Sequence, residues 1–185
     1  MCRKRSFAMQ TIEDMCASLN MNTDELAGKS KLLLDSYRRV CWASLGACRV
    51  ENDDGYCICD EDITHALEYL NSYSSSESKI AFERKLRTLF DSRWMVELVD
   101  DTMVQVREFP DLGDTYFDII SKFYLSKFKL RETELLDLLK LERSCYYDRK
   151  KEAVLAFGLA LWGTVLPKLI NIVESESLDP YICPD

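Results

Sequence analysis

Six residues between positions 140 and 150 combine the chemistries that grip a nucleic acid: Lys140, Arg143, Ser144, Tyr146, Arg149 and Lys150. An arginine fork can meet guanine O6 and N7 together, lysine offers charge to phosphate, and tyrosine reaches a phosphate or a thymine methyl. A serine hydroxyl satisfies the open N–H groups at the head of a helix. The surrounding run, TELLDLLKLERSCYYDRKKEAVLAFGLALW from Thr133 to Trp162, explains how such residues would be held. Thr133 can cap a short helix carrying Leu135, Leu136, Leu138 and Leu139, and Leu141-Glu142-Arg143 is long enough only for a turn. Ser144 then caps a second helix. There Tyr147, Val154 and Leu161 recur every seven residues, with Phe157 beside them, so one face is expected in a core. Cys145, Tyr146, Arg149 and Lys150 fall on the other side, with Lys140 and Arg143 at the turn. Two helices across a tight turn, the second one basic, is the layout of a helix-turn-helix DNA reader.

The rest of the chain must position that pair. It has 185 residues, 47% of them hydrophobic, with six glycines and four prolines. Such a mix favours helices and leaves few of the turn signals an all-β fold needs. An all-α fold is therefore expected: a helical bundle with a long central helix and a C-terminal helix-turn-helix. Residues 1–21 read as a tail or a short helix near Thr11–Leu19, and 22–109 as a helical N-terminal region. Residues 110–175 read as the helix-turn-helix domain, and 176–185 as an acidic tail.

Within that frame, Thr23-Asp24-Glu25-Leu26 marks a helix start with a capping threonine, and the helix turns Leu26, Leu33, Tyr37, Val40 and Leu45 to a core. Asp60 caps the next helix, on which Ile63, Ala66, Leu67 and Leu70 share a face. Ser74-Ser75-Ser76 separates it from a long helix over 77–109, expected to kink near Asp100-Asp101 and to offer a pairing surface for a homodimer. Asp114 caps the helix that follows Pro110, and Pro167 is expected to kink the last one.

Net charge is −8, which argues against indiscriminate nucleic-acid binding by the whole chain. Residues 121–151 nevertheless hold nine basic against five acidic side chains, a basic module on an acidic body. No stretch reads as a transmembrane helix, since Ala153–Leu161 is too short. The opening MCRKRSFAMQ lacks the apolar run of a signal peptide, and a cytoplasmic protein is expected.

Catalytic and metal chemistry find little support. Cys41, Cys48, Cys57 and Cys59 with His65 nearby do not have the paired knuckles of a structural zinc site, so no metal or cofactor is expected. A single histidine leaves no nucleophile–base constellation, no glycine-rich phosphate loop is present, and an enzyme is not expected.

The run from Leu141 to Ala153, LERSCYYDRKKEA, with its capping serine, two aromatics and basic stretch ending in Glu-Ala, resembles the C-terminal helix-turn-helix of ArpU/RinA-like regulators. These are small transcription regulators from phages and prophages of Gram-positive bacteria, similar at their DNA-binding end to region 4 of sigma factors. The continuation Phe157-Gly158-Leu159-Ala160-Leu161-Trp162-Gly163 also resembles clostridial prophage members, and the likeness spans about 117–167. It implies duplex DNA as partner, RNA polymerase as a further contact, and Ser144–Lys151 as the recognition helix, with Tyr146, Arg149 and Lys150 towards the groove. Cys145 departs from a frequent threonine, and Glu142 and Asp148 put negative charge beside the DNA face. The rival expectation, from charge and the phage setting, is an acidic interaction protein that inhibits a host nuclease in the manner of anti-CRISPR proteins.

Overall fold

The computed structural model describes residues 6–47, 60–89, 92–128 and 130–176, all-α and with no strand among them. The elements are α1 (Phe7–Ser18), α2 (Thr23–Ala47), α3 (Asp60–Ser72), α4 (Lys79–Leu89), α5 (Ser92–Arg107), α6 (Gly113–Ile120), α7 (Glu132–Leu139), α8 (Arg143–Ala160) and α9 (Leu166–Glu176). Two π-helical turns interrupt them, Ser121–Leu125 after α6 and Leu161–Val165 between α8 and α9.

Local chemistry sets several boundaries one to four residues from their expected places. Ser6 Oγ accepts from the Met9 N–H at 3.0 Å, so α1 begins earlier than Thr11. Asn22, not Thr23, caps α2: its Oδ1 accepts from the Asp24 and Glu25 N–H groups, both at 3.0 Å. Thr133 does not cap α7, which opens at Glu132; Glu134 reaches back to the Arg131 N–H at 2.7 Å. Asp114 lies inside the first turn of α6 and accepts from Arg107 at 2.8 Å instead of capping it.

Of the long helix expected over 77–109, the described residues form α4 and α5, and residues 90 and 91 lie outside them; α5 runs without interruption through Asp100-Asp101, which sit on its exposed face. Aspartates on a solvated face give a helix no reason to bend. The apolar side of α5 is used within the subunit, since Met95, Leu98, Val99, Met103 and Val106 are all buried. α5 then meets α6 at a tight corner. A β carbon on Gly113 would lie 2.0 Å from the Arg107 carbonyl oxygen, so no side chain fits there.

α8 is the axis of the molecule, packed upon by α1, α2, α5 and α6. From Glu152 to Leu159 every residue is buried, so the helix is enclosed on all sides. It approaches α2 most closely at Gly158, where a β carbon would lie 2.2 Å from Ser30 Oγ and 2.9 Å from Leu26 Cγ. Pro167 falls in the first turn of α9, where a missing N–H costs least, and the wider π turn before it takes up the mismatch. In that turn Trp162 Nε1 donates to the Leu70 carbonyl at 2.9 Å, beside the rings of Tyr73 and Phe82.

One hydrophobic core runs from Ile12 and Cys16 of α1 to Leu166, and the segments expected as 22–109 and 110–175 share it. Residues 143–175 also correct the expectation that no segment reaches membrane-spanning length. They are long and apolar enough by composition, with 61% of the most apolar window buried inside the protein, as suits a core helix. The Trp42 and Leu45 side chains, the acidic tail 177–185, and Cys48, Cys57 and Cys59 lie outside the described residues.

Candidate nucleic-acid interface

The corner between α7 and α8 is built as its spacing suggests. Lys140 ends α7 in the left-handed conformation, φ 52°, and the Leu141 N–H donates to the Leu136 carbonyl at 3.2 Å. Leu135 and Tyr146, at 0% and 1% exposure, anchor the two helices to the core. Among the expected contacts, Lys140, Arg143 and Ser144 are exposed, while Tyr146, Arg149 and Lys150 turn inward.

Tyr146 therefore faces no groove. Its ring is enclosed and its hydroxyl has no hydrogen-bond partner among the described residues. Burial, followed by the nearby charges of Glu132 and Tyr147, pushes its pKa up to about 12. Tyr146→Phe is expected to leave thermal stability unchanged or slightly raised, because an unpaired buried hydroxyl costs about 1–3 kcal/mol of desolvation. A fall of several degrees in a melting experiment would mean the hydroxyl has a partner the fold depends on.

Arg149 Nη1 donates to Glu152 Oε2 at 2.6 Å, and Glu152 is 1% exposed. That carboxylate also accepts from the Tyr116 hydroxyl at 3.0 Å and from the Ser6 hydroxyl. The arginine is thus the counter-ion of a buried carboxylate that ties α1 and α6 to α8. Lys150 Nζ lies 3.2 Å from the centre of the Phe123 ring, with Tyr124 and Tyr146 further out. Tyr146, expected outward, is in the core, and Arg149 and Lys150 are half-buried with partners inside the protein; the reason is helical phase. Beyond Glu152 the helix is apolar all round, so the repeat through Val154 and Leu161 carries no information about which side of Tyr147 is inside. Tyr147 itself is 47% exposed.

The surface that remains is a different stripe of the same helix. Arg143, Tyr147 and Lys151 succeed one another at intervals of four, with Ser144 and Asp148 beside them, and all five are exposed. Tyr147 was expected in the core, while Asp148 and Lys151 were expected within the recognition helix but not singled out as contacts; the i, i+4, i+8 spacing from Arg143 is the signal that puts Tyr147 and Lys151 on one stripe. Ser144 is the second residue of α8, not its cap. The N-cap is Glu142, which makes no side-chain cap, so the first N–H groups of the helix point outward. Arg143 Nε meets Glu132 Oε1 at 3.1 Å, and its pKa is raised by hydrogen bonding to Tyr147 and by the Glu132 charge.

For metal chemistry, no group of three His, Cys, Asp or Glu side chains occurs among the described residues. Cys16 and Cys41 are buried thiols and Cys145 is half-buried. Comparison with protein-family models, with curated proteins and with solved structures finds no match for this chain.

Proposed function

We propose that the protein binds duplex DNA through the exposed head of α8 and regulates transcription in the phage or prophage setting implied by its resemblance to ArpU/RinA-like regulators. The observation that carries the reading is the exposed stripe Arg143–Tyr147–Lys151, across a three-residue turn from α7. The remainder of α8 is locked in the core, which gives such a stripe the rigidity that base readout requires.

In this reading Arg143 exchanges its exposed pair with Glu132 for guanine O6 and N7, an exchange that costs little between solvated partners. Tyr147 meets a phosphate or a thymine methyl. Asp148 can accept from the cytosine amino group, so its negative charge becomes part of the recognition. Lys140, Lys151 and the uncapped N–H groups meet phosphates.

Selection of a preferred site from randomised duplexes at low salt, followed by titration of variants, tests the proposal. Arg143→Ala and Tyr147→Ala are expected to weaken the selected site about ten- to a hundredfold and to relax its base preference. Lys151→Ala should weaken all duplexes alike and flatten the salt dependence by about one phosphate contact. A wild-type protein that shifts no duplex at low salt overturns this reading. The acidic-inhibitor reading would then take precedence, favoured by Glu97, Asp100 and Asp101 exposed on α5 and by Glu108 exposed just after it.

A further inference from the structure

Basic residues far apart in the sequence are tied to α8 through a chain of contacts. Arg87 Nη2 donates to the Arg39 carbonyl at 3.2 Å, which seats the end of α4 on α2. The neighbouring Arg38 donates from Nε to the Ser126 carbonyl at 2.9 Å and from Nη2 to the Phe123 carbonyl at 2.8 Å. That clamp brings the π turn, and the exposed Lys127 after it, against α2. Phe123 in turn lies under Lys150 of α8 at 3.2 Å. The contacts therefore lead stepwise from α4 to α2, to residues 123–127, and to the recognition stripe.

The side chains along this path point cations at solvent and hide the acids. Arg84, Arg87 and Lys127 are exposed, and the Arg39 side chain is 62% exposed. Glu83, which pairs with Arg39 at 3.6 Å, has a side chain only 11% exposed, and Asp35 is half-buried. In a chain of net charge −8, cations are thus gathered on this side while α5 carries exposed acids.

We infer that Arg39, Arg84, Arg87 and Lys127 form a phosphate-tracking band that takes the backbone of duplex DNA flanking the base pairs met by α8. The inference rests on the proposed DNA reading and extends it to a second surface. The ligand chemistry follows from the side chains. The described side chains of α2 and α4 expose guanidinium and ammonium groups but no aromatic ring, and the exposed Phe128 ring lies only at the edge of the band, beside Lys127; a surface dominated by cations suits a duplex backbone better than unstacked bases.

The test compares wild type with Arg84→Ala/Arg87→Ala on a long duplex containing the selected site and on one trimmed to that site. On the long duplex the double variant is expected to bind about tenfold more weakly, with the slope of log affinity against log salt reduced by about two. Base preference should be unchanged, and the trimmed duplex should bind both proteins alike. Arg84→Gln/Arg87→Gln, which keeps the aliphatic stems, serves if the alanine pair melts early. An unchanged slope on the long duplex, with binding still sensitive to Arg143→Ala, overturns the band and leaves the α8 reading standing. Weakening by the double variant while Arg143→Ala and Tyr147→Ala change nothing supports the band and overturns the α8 reading. Equal loss on single-stranded DNA overturns the duplex assignment, and a wild type that binds no duplex overturns both.

Discussion

Arg149→Ala is expected to destabilise the fold by about 3–5 kcal/mol, the usual cost of stranding one member of a buried ion pair. Glu152 is 1% exposed and would keep hydrogen bonds from Tyr116 and Ser6 but lose its only cationic partner among the described residues. Urea unfolding followed by circular dichroism measures the loss. Replacing both charges, as in Arg149→Met/Glu152→Met, should recover much of it, because an apolar pair needs no compensation. DNA affinity of the folded fraction should stay near that of wild type. If Arg149→Ala melts like wild type but loses DNA, the inward pairing is wrong and the arginine is a reader after all.

Phe157→Ala is expected to cost a comparable amount, about 3–5 kcal/mol, for a different reason. Phe157 is 0% exposed on a helix enclosed by α1, α2, α5 and α6, so truncation leaves a cavity that packed neighbours cannot close. Gly158 beside it already holds α2 and α8 at their closest approach, which limits any inward collapse. The unfolding midpoint should fall while the denaturant slope stays constant. A loss below about 1 kcal/mol would show that the site relaxes and that α8 is less tightly held than its burial indicates.

These two substitutions lie only two helical turns apart, and together they show what was legible in the chain. The helical class followed from composition. The corner followed from a leucine-rich run, a turn too short for anything else, and a new helix after it, although the turn, expected at 141–143, lies at 140–142. The buried residues of α2, such as Leu33, Tyr37 and Val40, followed from their 3.6-residue spacing. Caps were harder, since Asn22, Ser6 and Glu134 compete with neighbours of equal aptitude, and only backbone geometry decides between them. The interruption expected at Asp100-Asp101 is not there, because two adjacent aspartates look like a break only while their exposure is unknown, and both lie on the exposed face of α5.

The face of α8 was read inside out, and the cause is general. A helix buried on every side has no apolar stripe, so periodicity cannot say where its inside lies. What remained was the charge of Arg149 and Lys150, and charge suggests solvent. Tertiary structure supplied partners that no local pattern could reveal: a carboxylate three residues on, made buried by α1 and α6, and an aromatic ring from a π turn twenty-seven residues earlier.

The sequence by itself determined an all-α chain with a tight helical corner and a basic, aromatic helix head. Those properties depend on neighbours within a few residues, where propensity, capping and spacing act directly. Only the tertiary structure decided which side of that head faces outward, and that exposed cations at 39, 84, 87 and 127 lie on elements linked to it by a chain of contacts. Both depend on which surfaces pack against one another, and packing is a property of pairs of elements that no single stretch of chain contains.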